Sequence, residues 1–289
     1  MAFKNVLVQL DNHRNYETRL RIALSLAQQD KGRALGLYCF DMPAMPHISY
    51  ALAEAYYPAA HDTARETYER QRDGAFDDAA HYQAAFRAAA RSAGLRARWE
   101  IWPEKPKDLI GHMTERARYA DIAVLGQADP RHPLYDTLVD LPETVMLGSG
   151  RPVIIVPYAE QRDSFGKRIL IAWNDTREAA RAVADSMPLL ERADAVTVLT
   201  IAPERDDRYH EPAQKMVQQL AQHGVHAEAS EMAGGDGEAG DLILSRAADL
   251  GCDLLVMGGY GHSRTRELFL GGATRHILQT MTLPVLLAH

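Results

Sequence analysis

The chain repeats itself, and the repeat limits its fold more than any other feature. Each half opens with a short apolar run behind a lysine, Lys4-Asn5-Val6-Leu7-Val8 and Lys167-Arg168-Ile169-Leu170-Ile171. Each closes with a proline-led apolar run, Pro152-Val153-Ile154-Ile155-Val156 and Pro284-Val285-Leu286-Leu287. Asp121 and Asp253, Gly126 and Gly258, and Pro152 and Pro284 are all 132 positions apart, whereas Lys4 and Lys167 are 163 apart. The first half therefore carries 31 extra residues ahead of Asp121.

Continuous apolar runs of this kind suit parallel strands buried on both faces. In the second half they fall near 168–173, 195–201, 226–232, 254–258 and 284–288, alternating with helical patterns near 177–190, 211–223, 240–250 and 271–280. Such alternation builds a parallel sheet with right-handed crossovers and helices on both faces. The expected fold class is α/β: two tandem, doubly wound, five-stranded parallel sheets, over 1–160 and 165–289. A length of 289 residues agrees with two domains.

The extra residues are expected between Met42 and His81, after the second strand. That stretch begins Met42-Pro43-Ala44-Met45-Pro46, continues through Tyr50, Tyr56 and Tyr57, and reads as a long helix over 60–94. It is either a longer helix with a loop covering its own domain, or an apolar flap over a cleft or partner surface.

The chemistry concentrates in Met257-Gly258-Gly259-Tyr260-Gly261 and, nine residues on, Gly271-Gly272-Ala273-Thr274. The fourth strand is expected to end at 257 or 258 and a helix to start near Gly272. Ligands of open parallel sheets bind beyond the carboxyl ends of the strands. A helix N-terminus presents free amides and a positive dipole end, which suits phosphate. Glycines at 258, 261, 271 and 272 allow close backbone approach, and Thr274 offers a hydroxyl. Taken without the spacing, the glycines could equally form a tight strand-to-helix connection.

The spacing Gly-x-x-Gly-x9-Gly after a strand and before a helix resembles the ATP-binding signature of universal stress proteins, and the likeness extends over both halves. The resemblance implies paired domains whose last strands meet, an adenine nucleotide-binding α-hydrolase-like fold, and ATP in some members. It implies phosphates along the glycine loop, with adenine and ribose held at Ala172, Trp173, Asn174, Ile201 and Met257. Two positions depart from the family pattern. Gly272 stands where the family has Ser or Thr, and Asn174 where it prefers Asp, with Asp175 alongside.

The first half lacks the motif. Its equivalent segment is Gly126-Gln127-Ala128-Asp129, followed by Leu141-Pro142-Glu143-Thr144, although Asp11 keeps the strand-end acid. Acids at 129 and 143 would repel phosphate, so this half is not expected to hold ATP in the usual way. Gly235-Asp236-Gly237-Glu238-Ala239-Gly240 spells a dinucleotide fingerprint but follows the wrong strand, and reads as a surface loop. His223 and His226 fall at a helix-to-strand turn without further zinc ligands. His262 and His276 flank the loop, as do Arg264, Arg266 and Arg275; arginine pairs well with phosphate, and a solvated face is the alternative.

A net charge of −7 argues against general nucleic-acid or anionic-membrane binding. Two cysteines, Cys39 and Cys252, are too few for a disulfide framework and are expected as buried thiols. No signal peptide or membrane-spanning run is visible, so a cytoplasmic protein is the expectation. The leading functional expectation is a stress-response or regulatory protein binding ATP, with Mg²⁺, in the second half. Hydrolysis is expected to be slow or absent, because no catalytic base is evident; no catalytic residue or protein metal site is assigned. The fused halves are expected to form an intramolecular pseudo-dimer, with further homodimerisation open. The alternatives are a nucleotide-free scaffold acting through its domain pairing and the apolar 42–58 segment, and an adenylyl-transferring enzyme.

Overall fold

The computed structural model describes residues 2–11, 15–39, 58–102, 106–131, 135–159, 163–202, 210–234, 238–259 and 270–289. The first half runs β1 (Asn5–Leu10), α1 (Tyr16–Gln29), β2 (Arg33–Cys39), α2 (Pro58–Ser92), β3 (Arg96–Trp102), α3 (Pro106–Ala117) and β4 (Ile122–Gly126). A short α4 (Tyr135–Leu138), α5 (Leu141–Ser149) and β5 (Val153–Val156) complete it. The second half runs β6 (Arg168–Ala172), α6 (Arg177–Leu190), β7 (Ala195–Ala202), α7 (His210–Gln222) and β8 (Ala227–Ala233). It ends with α8 (Ala239–Asp249), β9 (Leu254–Gly258), α9 (Leu270–Thr280) and β10 (Val285–Ala288).

The ten described strands form one sheet, in the order β3-β2-β1-β4-β5-β10-β9-β6-β7-β8. Each half is a parallel five-stranded array, and the halves join where β5 and β10 pair antiparallel, Ile154 opposite Leu286. The two expected sheets are thus continuous, joined at the last strand of each half.

Alternation along the strands divides the core. Val6, Val8 and Leu10, with Ile169 and Ile171, face α1, α2, α6 and α7. Leu7 and Leu170 face the opposite layer, α3, α5, α8 and α9. Both faces are apolar because both are covered, and each fully buried aliphatic side chain contributes roughly 1.5–3 kcal/mol.

The repeat offset reappears in the packing. Arg19, Leu20, Ile22, Ala23, Leu26 and Ala27 are buried in α1, and the residues 163 positions on, Ala182, Val183, Asp185, Ser186, Leu189 and Leu190, are buried in α6. Helix α6 starts where Thr176 caps it, its hydroxyl accepting from the Ala179 amide at 3.3 Å.

Helix α2 is the long helix of the insertion. It lays Tyr82 and Phe86 on the sheet, where Tyr38 stacks between Tyr82 and Trp99 at centroid distances of 5.5 and 5.4 Å. The apolar 42–57 segment lies outside the described residues.

Beyond the strand seam, the halves are tied on the α1/α6 face. Asp30, just past α1, accepts from the Phe3 amide at 2.6 Å and from the Arg192 guanidinium, just past α6, at 2.7 Å. Burial opposes the charge on Asp30, but those donors outweigh it and hold the carboxyl below its ordinary range. Cys39 and Cys252 are buried thiols. No described helix is long and apolar enough to cross a membrane.

Candidate functional site

Strand order reverses between β9 and β6 in the second half, and between β4 and β1 in the first. The helices that follow the two strands pack on opposite faces there, which in open parallel sheets opens a crevice at the carboxyl ends. The two crevices are built differently.

In the second half, Ala172 pairs in register with Met257 on one side and Leu199 on the other. Ala172, Met257 and Ile201 pack on the same face, the one covered by α8 and α9. Three of the expected nucleoside contacts therefore stand together along the ends of β9, β6 and β7. Trp173 differs: its side chain packs in the opposite layer, 7% exposed, while its amide donates to Leu199 at 2.8 Å. Asn174 is exposed, and its Oδ1 accepts from the Thr176 hydroxyl at 2.8 Å. Asp175 takes a left-handed φ of 56°, which Asp tolerates better than most residues, and so turns the chain from β6 into α6.

The glycines serve distinct purposes. A Cβ on Gly258 would lie 2.5 Å from the Ala179 nitrogen and 2.6 Å from the Glu178 carbonyl carbon, so glycine there lets the first turn of α6 press against the strand end. A Cβ on Gly259 would lie 2.8 Å from Met146 Cε in α5, across the seam. Gly272 is exposed and a Cβ there would meet nothing within 4 Å. Helix α9 begins at Leu270, so Gly271, Gly272 and Ala273 occupy its first turn; Thr274 behind them is buried, at 2% exposure. That turn holds no acid. Gly261, Arg264, Arg266 and His262 lie outside the described residues. Arg275 is exposed one turn into α9.

Sequence reasoning missed Glu178, the counterpart of Asn15 at the 163 spacing, which is 3% exposed in the first turn of α6. Burial opposes its charge, yet the Arg177 guanidinium at 2.5 Å, helped by its own amide and by His289, keeps the carboxyl below its usual range. Thr200 was also missed. Its hydroxyl and the Trp173 indole nitrogen are buried with no hydrogen-bond partner among the described residues.

In the first half the end of β1 carries a cluster of buried polar side chains. Arg19 of α1 donates its Nε to the Gln9 carbonyl at 3.1 Å and pairs through Nη2 with Asp11. Gln9 Nε2 donates to Asp11 at 3.3 Å, and its Oε1 accepts from the Gly126 amide at 3.0 Å. All three side chains are buried. At 2.1 Å, the Arg19 guanidinium occupies the space a Cβ on Gly126 would take. Asp11 is thus retained but consumed by an internal ion pair. The counterparts of Gln9, Asp11 and Arg19 are Ala172, Asn174 and Ala182. Asp129, expected to repel phosphate, is neutralised locally by the fork of Arg131, at 2.9 and 3.1 Å. Sequence reasoning missed Gln9 and Arg19 in this cluster, and the signal for both was a polar residue at an otherwise apolar position.

A Cβ on Gly240 would lie 2.7 Å from the His276 ring, and His276 Nε2 stands 2.7 Å from Asp241 Oδ1, tying α9 to α8. Residues 235–237 lie outside the described residues. Among the described residues no group of His, Cys, Asp and Glu is placed to hold a metal ion.

Residues 166–289 match the sequence profile of the universal stress protein family. A universal stress protein from Synechocystis sp. is 42% identical over 50 residues; the match spans 17% of this chain and 17% of that protein's length. Among solved structures, the chain is similar to a universal stress protein from Archaeoglobus fulgidus, with a TM-score of 0.67 and 13% identity, over 98% of this chain and 95% of that one. It is also similar to a protein from Pseudomonas aeruginosa classed with the universal stress proteins, with a TM-score of 0.60 and 16% identity, over 99% and 93%. At these identities the structural likeness is one of fold.

Proposed function

We propose that this chain, whose residues 166–289 match the universal stress protein family, binds ATP at the β9–α9 connection as a stress-response or regulatory protein of the cytoplasm. The observation that carries this is the contrast at the two crevices. Where the first half fills the strand ends with Gln9, Asp11 and Arg19, the second presents Ala172, Asn174 and an acid-free helix turn with open space over Gly272. The α9 amides and dipole suit a triphosphate, and Ala172, Ile201 and Met257 form an apolar shelf for the base. Any Mg²⁺ would come with the triphosphate. The glycine motif supplies phosphate cradling and no base for activating water, so the reading is a bound-state switch with slow or absent turnover. The two-domain division at 1–160 and 165–289, acting as an intramolecular pseudo-dimer, belongs to the same reading, with the first domain as structural partner.

The test is equilibrium binding of ATP to the wild type and to Gly272→Asp. The aspartate has room and suits a helix N-terminus, so the fold should stand, while its charge opposes the phosphates. A loss of tenfold or more in ATP affinity is expected. Absence of binding by the wild type, or equal binding by both, sinks the site.

A further inference from the structure

The helix whose first turn faces the proposed phosphate site is held at its other end by the first half of the molecule. A helix leaves its last carbonyls without partners. In α9 the Met281 amide reaches back to Ile277 at 2.7 Å, leaving Leu278 and Gln279. Gln127, the first residue after β4, donates its Nε2 to both, at 2.8 and 3.2 Å. Gln127 is itself fixed: its Oε1 accepts from the Tyr158 amide at 3.1 Å, and its own amide donates to Val156 at 2.8 Å.

The counterpart helix needs no such help. Helix α5 ends on Gly150, left-handed at φ 67°, whose amide donates to Met146. The residue 132 positions on is Thr282, so α9 lacks the glycine stop. Across the seam the exchange is complementary: the counterpart of Gln127 is Gly259, which packs bare against Met146 of the self-capped helix. The half that lacks its own cap receives one, and the half that has one meets a glycine.

We propose that Gln127 is a positioning residue for nucleotide binding: by capping the C-terminal end of α9 it fixes the direction in which the first turn of that helix presents its amides to phosphate. The degenerate loop of the first half is then part of the working site of the second. This rests on the ATP reading above.

The experiment is calorimetric titration of the full-length chain with ATP and, separately, adenosine, using Gln127→Ala, Gln127→Glu and Gln127→Lys, with melting temperatures measured alongside. Gln127→Ala is expected to weaken ATP about fivefold and leave adenosine unchanged. Gln127→Glu should weaken ATP further, because a carboxylate opposes the negative end of the helix. Gln127→Lys, a donor and a cation at that end, should restore affinity to near the wild-type value. Equal losses for ATP and adenosine, or wild-type ATP affinity in all three variants, overturn the inference while leaving the ATP reading intact. A wild type that binds no ATP overturns both.

Discussion

At the ends of β1 and β6 the same fold position is built in two ways. After β1 a buried arginine reaches over a glycine to a buried aspartate; after β6 the corresponding residues are small or solvent-facing. The difference teaches that one strand-end position can carry an internal ion pair or face solvent. The first half has a guanidinium over Gly126, and its strand-end acid is paired with it.

The harshest way to break this comparison is Arg19→Leu. It takes the Arg19 guanidinium away from the buried Asp11 carboxylate and should cost about 3 kcal/mol in urea unfolding. Adding Asp11→Leu should recover most of that loss, since an apolar pair can replace a buried ion pair at little net cost. A double variant as unstable as the single one would mean that the cluster holds the fold by shape.

The glycines sharpen it next. Gly258→Ala drives a methyl into the backbone of α6, which cannot yield as a flexible side chain would, and should cost about 1–3 kcal/mol. Gly272→Ala has open space and a helical backbone, and should raise stability by up to about 1 kcal/mol. Chemical denaturation of the two variants side by side tests whether their glycines serve packing and approach respectively.

Acid probes the tie between the halves. The Asp30 carboxyl titrates below its unfolded value, so its contribution is present above the ordinary carboxylate range and is lost as pH falls through the folded value. Arg192 is partly exposed, so Arg192→Ala should cost about 1 kcal/mol at neutral pH and less in acid. Urea midpoints at neutral and acidic pH would show the two proteins converging.

The smallest effect is expected from Thr200→Val, which removes a buried hydroxyl with no partner among the described residues. Stability of the ligand-free protein should rise by about 0.5 kcal/mol, read as a higher melting temperature. Its in-register neighbourhood makes the point: the corresponding strand end of the first half carries Tyr38, locked in an aromatic stack.

Much of the architecture was legible because it is written locally. Helix α6 spans 177–190 as periodicity predicts, since its apolar stripe and the Thr176 cap agree. The late offset of 132 and the early offset of 163 both survive as structural correspondences, because burial on both sheet faces forces the same apolar pattern twice. What was illegible depends on contacts between distant residues. Gln9 and Arg19 are polar residues at otherwise apolar positions, and what they do shows only when a strand, a helix and the Gly126 amide bring them together. Gly258 reads as ligand-facing, yet it is also explained by Glu178 and Ala179, about 80 positions away in the chain. Trp173 was expected beside the base from its place after β6, but strand alternation turns its side chain to the other layer.

The seam between β5 and β10 has a consequence for how the chain is made. Strand β5 is four apolar residues, Val153 to Val156, and its free edge is covered only by a strand about 130 residues further along. During synthesis at about 5–20 residues per second, that edge stays open for some seconds while the whole second half emerges. An apolar strand edge left unpaired is a template for another chain. Joining the halves in one polypeptide supplies the correct partner at high local concentration, so the same feature that delays closure of the sheet also biases which edge closes it.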